Sequence, residues 1–218
     1  MTAVETPVGL SLPAHLRRAS LLTWHELPRV TAVCALALLA AVPMVVASLT
    51  SVWWLVAFSA VPASLLATGL AQVGAMIGRG ERVRVRDVFT VDALLALILL
   101  ACATLAERAI SAGGALQIVG CMAAAVLLAV APVSLGYGAV RGRRGVAALR
   151  GGLILVAYRP AVALTVLGVG VLAAFAIVAT LGTLGLVLPA VLATFVATVV
   201  ADLLATIDAT SDRGAGTP

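Results

Sequence analysis

The sequence predicts an all-α, polytopic membrane protein: a bundle of six transmembrane helices arranged as three hairpins, with basic interfacial segments on the cytoplasmic side. Composition is the first reason. Hydrophobic residues make up 63% of the 218 and charged residues 11%, with a mean hydropathy of +1.19, whereas soluble domains carry roughly 25% charged residues. Block length is the second, because the apolar residues come in runs of about 20, and about 20 residues at ~1.5 Å each cross a hydrocarbon core of ~30 Å. The third is that the arginines concentrate in every second gap between those runs.

Taken in order, residues 1–29 form a cytoplasmic tail and interfacial segment. Residues 1–13 are polar, carry Pro7 and Pro13, and are expected to be disordered. Residues 14–27 mix His15, Arg17, Arg18 and Glu26 with Leu16, Leu21, Leu22 and Trp24, the pattern of a helix lying at the headgroup level. About 28 fairly polar residues precede the first apolar run, so no cleavable signal peptide is expected and the first span serves as an uncleaved signal anchor.

The transmembrane domain is expected over residues 30–206. Spans one (30–49) and two (52–77) are separated by a tight turn, with Trp53 and Trp54 as an interface anchor. Span three (91–107) is short, held between Asp92 and the Glu107-Arg108 pair, and crosses only with a charge at its boundary. Span four (115–140) runs into Arg141, Arg143 and Arg144, and residues 145–158 read as a further interfacial segment ending at Arg159-Pro160. Spans five (161–180) and six (184–205) are joined by a turn containing Gly182 and Gly185, and residues 207–218 form a polar cytoplasmic tail.

Six spans place thirteen arginines on one side and only Arg108 on the other. Loops rich in Lys and Arg stay in the cytoplasm, so both termini are cytoplasmic, and the expected location is a bacterial cytoplasmic membrane. All 14 basic residues are Arg. The net charge of +5 and pI near 10.1 do not point to nucleic acid, because the cations lie between apolar blocks, where they meet anionic headgroups.

A repeat of low resolution accompanies this layout: a basic segment leads three times into a pair of spans, and Arg18, Arg84 and Arg150 stand 66 residues apart. Repeated hairpins are a transporter device, and short outer turns produce a similar period in any six-span protein.

Few residues carry chemistry. Asp202 and Gln72 are the candidate intramembrane polar groups: a proton, cation or arginine site on one reading, an interface residue and a helix-packing amide on the other. Arg82, Arg84, Arg86, Arg141, Arg143, Arg144 and Arg150 are the candidate contacts for lipid phosphates or a cytoplasmic partner. The first three alternate with Val83 and Val85, as in a strand, an extended segment or a helix at the interface. Gly74 with Gly78, and Gly138 with Gly142, have the four-residue spacing that lets helices approach closely. Pro43, Pro62, Pro132 and Pro189 fall within spans one, two, four and six, where a proline kinks a helix. Cys34, Cys102 and Cys121 lie inside apolar blocks without CxxC spacing, as small packing residues rather than disulfides or metal ligands.

No GxxxxGK[ST], HExxH or GxSxG motif occurs, and both histidines lie near the N-terminus, so neither catalysis nor a cofactor is expected. The order of parts resembles the YesL-type family of small bacterial membrane proteins. The matching stretches are WHELPRV leading into a hairpin, RVRVRDVFTVDALLAL as a basic loop with a Phe, and YRP before the last pair of spans. That resemblance implies a non-enzymatic accessory role beside a carbohydrate transporter of the ATP-binding-cassette (ABC) type, and it transfers no catalytic residue. Expected partners are anionic lipid, subunits of such an ABC transporter and a second copy of the chain. Two alternatives stand beside it: a small-solute transporter or permease subunit working between kinked helices, and a lipid-interacting membrane protein.

Overall fold

In the computed structural model, residues 12–50, 53–180 and 182–215 are described, and among them there are helices and no strands. The expected disordered start lies almost wholly outside these residues, as does the turn at Ser51-Val52. Eight α-helices follow one another: α1 (Leu12–His25), α2 (Leu27–Thr50), α3 (Trp53–Gly78), α4 (Ala93–Ala112), α5 (Gly114–Arg141), α6 (Val146–Tyr158), α7 (Pro160–Ala179) and α8 (Leu188–Ala215).

Their boundaries follow local chemistry. Pro28 and Pro160 sit in the first turns of α2 and α7, where a missing N–H costs nothing. Asp92 caps α4 by accepting from Leu95 N–H at 3.0 Å. Gly113 and Gly114, at φ 73° and 59°, turn the chain directly from α4 into α5. Gly142 ends α5 in the left-handed conformation. Between α3 and α4, Arg84 N–H donates to Asp87 Oδ2 and Asp87 N–H donates back to Arg84 O, both at 2.8 Å. This closes a 3-10 turn over Val85–Phe89. Arg82 to Arg84 are therefore neither strand nor helix.

Among the described residues, five helical stretches are long and apolar enough to cross a membrane: Ser59–Gly78, Ala93–Ala112, Gly114–Arg141, Pro160–Ala179 and Leu188–Ala209. This is the fold of a multi-pass membrane protein. The apolar stretch described in α2, Leu27–Ala40, is shorter. Expected span three is longer than the sequence indicates: α4 has 20 residues and passes through Glu107 and Arg108, both exposed, so those charges decorate the helix instead of ending it. Expected span six starts later, because residues Thr183–Leu186 form a separate 3-10 turn. Pro189 consequently falls in the first turn of α8, where it produces no kink, while Pro43, Pro62 and Pro132 are interior to α2, α3 and α5.

The centre of the bundle is built from α3, α8 and the second half of α5. Ala71, Ala75, Ala139 and Ala197 form one buried cluster between them. A Cβ on Gly74 would lie 2.4 Å from the Ala193 carbonyl carbon, and one on Gly136 would lie 2.8 Å from Val196 Cγ1, so these small residues set the helix separation. The shorter elements then pack onto the central helices in a regular way. α1 lies on α8, residues 85–89 on α3, and α6 on α5. In that last pair Gly138 meets Ala148, Gly152 meets Ser134 and Gly151 meets the Tyr137 ring, so α6 runs back along α5. Arg18, Arg84 and Arg150 occupy a helix, an extended residue and a helix respectively. Their equal spacing does not carry equal local structure, whereas the packing of each preceding element on a central helix does recur.

Candidate functional site

The basic segments converge at one end of the bundle. On α1, His15, Ala19 and Thr23 are buried at a four-residue period, the spacing of one helix face. This face lies on α8 and turns Arg17 and Arg18 outward. After α3, the chain folds back along that helix. Val83 and Val88 are fully buried against Val30, Val33, Val73 and Ile77, and a Cβ on Gly69 would lie 1.8 Å from the Val88 carbonyl oxygen. Anchored by its valines, the segment leaves Arg82, Arg84 and Arg86 exposed. The alternation read in the sequence holds only in part as a burial pattern: Val83 is buried, Val85 is 43% exposed between its arginines, and no strand forms.

Asp92 joins two of these segments. One carboxylate oxygen accepts from Leu95 N–H, the other accepts from Gly145 N–H at 2.6 Å, and the Asp92 backbone N–H donates to Thr68 Oγ1 at 3.1 Å. A single carboxylate therefore sits at the N-termini of both α4 and α6, where the helix dipoles favour negative charge. The sequence marked Asp92 only as a boundary. Its cap to Leu95 was legible from position, while the bond to Gly145, 53 residues away, was not.

Arg141, Arg143, Arg144 and Arg150 are exposed. Arg141 pairs with Asp208 across the ends of α5 and α8. Asp202, read from sequence as a proton, cation or arginine site or as an interface residue, faces His15 Nε2 at 3.7 Å. Gln72 is half-buried on α3 between buried Ala71 and Val73. The hydroxyls of Ser64, Thr68, Thr194 and Thr198 each donate to a carbonyl three or four residues earlier in their own helix.

The glycine pairs separate. Gly74 is at a close helix contact, and Gly78 meets only the Thr198 methyl at 3.4 Å. Gly138 packs against the turn that follows it, with the Arg143 carbonyl oxygen 3.0 Å from a built Cβ. Gly142 is not a packing residue: nothing lies within 4 Å of its built Cβ, and its role is the positive φ of 64° that ends α5.

Between α1, the ends of α3 and α5, and α8 lies a cavity of about 310 Å³. Its ionisable lining is His15, Arg18, Arg79 and Asp202, set among Ala75, Gly78, Val140, Ala197, Thr198 and Ala201. Of the four, only Asp202 was picked out from sequence. The burial period of α1 was the available signal for His15, and nothing in sequence brings Arg79 to it. Among the described residues no group of three or more His, Cys, Asp or Glu side chains is placed to hold a metal ion. No family model, no curated protein and no solved structure matches the chain.

Proposed function

We propose that the chain crosses a bacterial cytoplasmic membrane six times as three hairpins, with both termini inside, and acts as a non-enzymatic accessory or scaffold protein through its arginine-rich face. Support for the sixth crossing comes from α2, whose 24 residues extend ~36 Å at ~1.5 Å each, and from the arginine distribution, which six crossings resolve onto one side. The recurrent packing of α1, residues 85–89 and α6 onto α8, α3 and α5 supports a threefold repeat of basic segment plus hairpin.

One observation carries the functional reading. The basic segments are not loose loops: buried valines and the Asp92 bonds hold Arg82, Arg84, Arg86, Arg143 and Arg144 on a preorganised surface. Such a surface attracts anionic headgroups at about 1 kcal/mol per arginine and presents guanidiniums to an acidic partner surface. The partner that the sequence resemblance implies is a subunit of an ABC-type carbohydrate transporter. Cross-linking in native membranes followed by purification should recover such a subunit with the wild-type chain and much less with Arg82→Ala/Arg84→Ala/Arg86→Ala. Recovery of the chain alone overturns the accessory role.

The alternative of a small-solute transporter is favoured by the mixed-charge cavity. Against it stands the glycine-tight contact of α3 with α8, along which the hydroxyls of Thr68, Thr194 and Thr198 donate to their own helices. Proteoliposomes that show solute flux dependent on Gln72 or Asp202 would favour transport over scaffolding.

A further inference from the structure

The cavity at the arginine-rich end holds both signs of charge, which a surface for anionic lipid does not require. Arg18 and Arg79 are exposed and His15 is buried, so the cavity runs from a guanidinium rim to an imidazole floor. His15 Nε2 is buried and has no hydrogen-bond partner among the described residues. It stands 3.7 Å from Asp202 Oδ2, beyond hydrogen-bond length. A buried polar atom of this kind is costly unless something bonds it.

Charge decides the class of ligand. An anion alone would meet Arg18 and Arg79 and set itself against Asp202. A cation alone would meet Asp202 and face two guanidiniums. A zwitterion that joins a phosphate to a primary ammonium satisfies both guanidiniums and the carboxylate. The guanidiniums bond phosphate oxygens through charge-assisted hydrogen bonds. Glu81 accepts from Arg79 Nε at 2.8 Å, and among the described residues this leaves the two terminal nitrogens of Arg79 for the phosphate. The ammonium has three donors, and the half-exposed Asp202 carboxylate, beside the sealed His15 imidazole, accepts from it. A cavity of about 310 Å³ is roughly tenfold a water's ~30 Å³ share of the liquid. That is room for a headgroup and not for acyl chains.

We propose that this cavity binds an amino-phosphate zwitterion, the chemistry of an ethanolamine phospholipid headgroup or of free phosphoethanolamine. The site stands apart from the accessory role: loss of partner recovery leaves it intact, and loss of ligand binding leaves partner recovery intact. Calorimetric titration of the full chain in detergent tests it, with dihexanoyl phosphatidylethanolamine, phosphatidylglycerol, phosphatidylcholine and free phosphoethanolamine as probes.

The ethanolamine lipid should bind about tenfold more tightly than the glycerol lipid, which lacks the ammonium, and the choline lipid, whose quaternary nitrogen donates no hydrogen bond. Asp202→Asn should erase that preference while retaining glycerol-lipid binding, which also shows that the variant is folded. Arg18→Gln with Arg79→Gln should weaken every probe about tenfold. Equal affinity of the wild type for ethanolamine and glycerol lipids, an unchanged preference in Asp202→Asn, or no binding of any probe overturns the proposal. Within a positive result, free phosphoethanolamine binding as tightly as the lipid identifies a soluble ligand. Binding of the lipid alone identifies the membrane as its source.

Discussion

Helices α7 and α8 are neighbours in sequence and in space, and their membrane-length stretches have nearly equal mean hydropathy, 2.6 and 2.2. Their surroundings are opposite. The α7 stretch is 17% buried and the α8 stretch 44%; Phe175 on α7 is 72% exposed while Phe195 on α8 is fully buried. Lipid tails are as apolar as a leucine side chain, so hydropathy selects helices that enter a bilayer and is silent about which of them face other helices. Glycine is equally ambiguous: Gly74 lies against α8, whereas Gly168 and Gly170 on α7 have nothing within 4 Å of a built Cβ.

The sharpest way to break this contrast is to truncate both rings. Phe195→Ala should cost about 3 kcal/mol through the cavity it opens, and Phe175→Ala should stay within about 0.5 kcal/mol. Unfolding of both variants in one detergent measures the difference, and equal losses would show that α7 is covered as fully as α8. Gly74→Val against Gly168→Val comes next. The first forces a side chain into the Ala193-Thr194 backbone and should cost about 1–3 kcal/mol by overpacking. The second meets open space and should leave the unfolding midpoint almost unchanged. The smallest effect concerns the ends of the helices, where the contrast between inner and outer helices gives way to polar bonding. Asp92→Ala removes the cap on α4 and the bond to Gly145, for about 1–2 kcal/mol. Because Arg79 to Arg86 and Arg141 to Arg144 are held together through Asp92, trypsin should cut both segments faster in that variant. Cleavage accelerated in neither segment would show that the carboxylate joins nothing.

Much of the element order was legible. Gly182 and Pro160 punctuate the chain where helices end or begin, and the segments read as interfacial became α1 and α6. Expected span three was read short because Glu107 and Arg108 look like terminators, yet a helix continues through exposed charges at no backbone cost. The site was far less legible. His15 and Asp202 lie 187 residues apart, and Asp92 and Gly145 lie 53 apart. No local pattern connects such pairs. The two glycine pairs share one spacing, but Gly142 ends a helix and Gly74 joins two.

What this sequence determined by itself was membership in a membrane: long apolar blocks must be withdrawn from water, their backbone must be satisfied within each segment, and arginines must remain at the boundary. Which blocks form the centre, and which charges share the cavity between α1 and α8, was decided only by tertiary structure. The reason is physical. In an apolar solvent helices sort by close packing and by rare polar contacts between distant residues, and neither leaves a periodic mark along the chain.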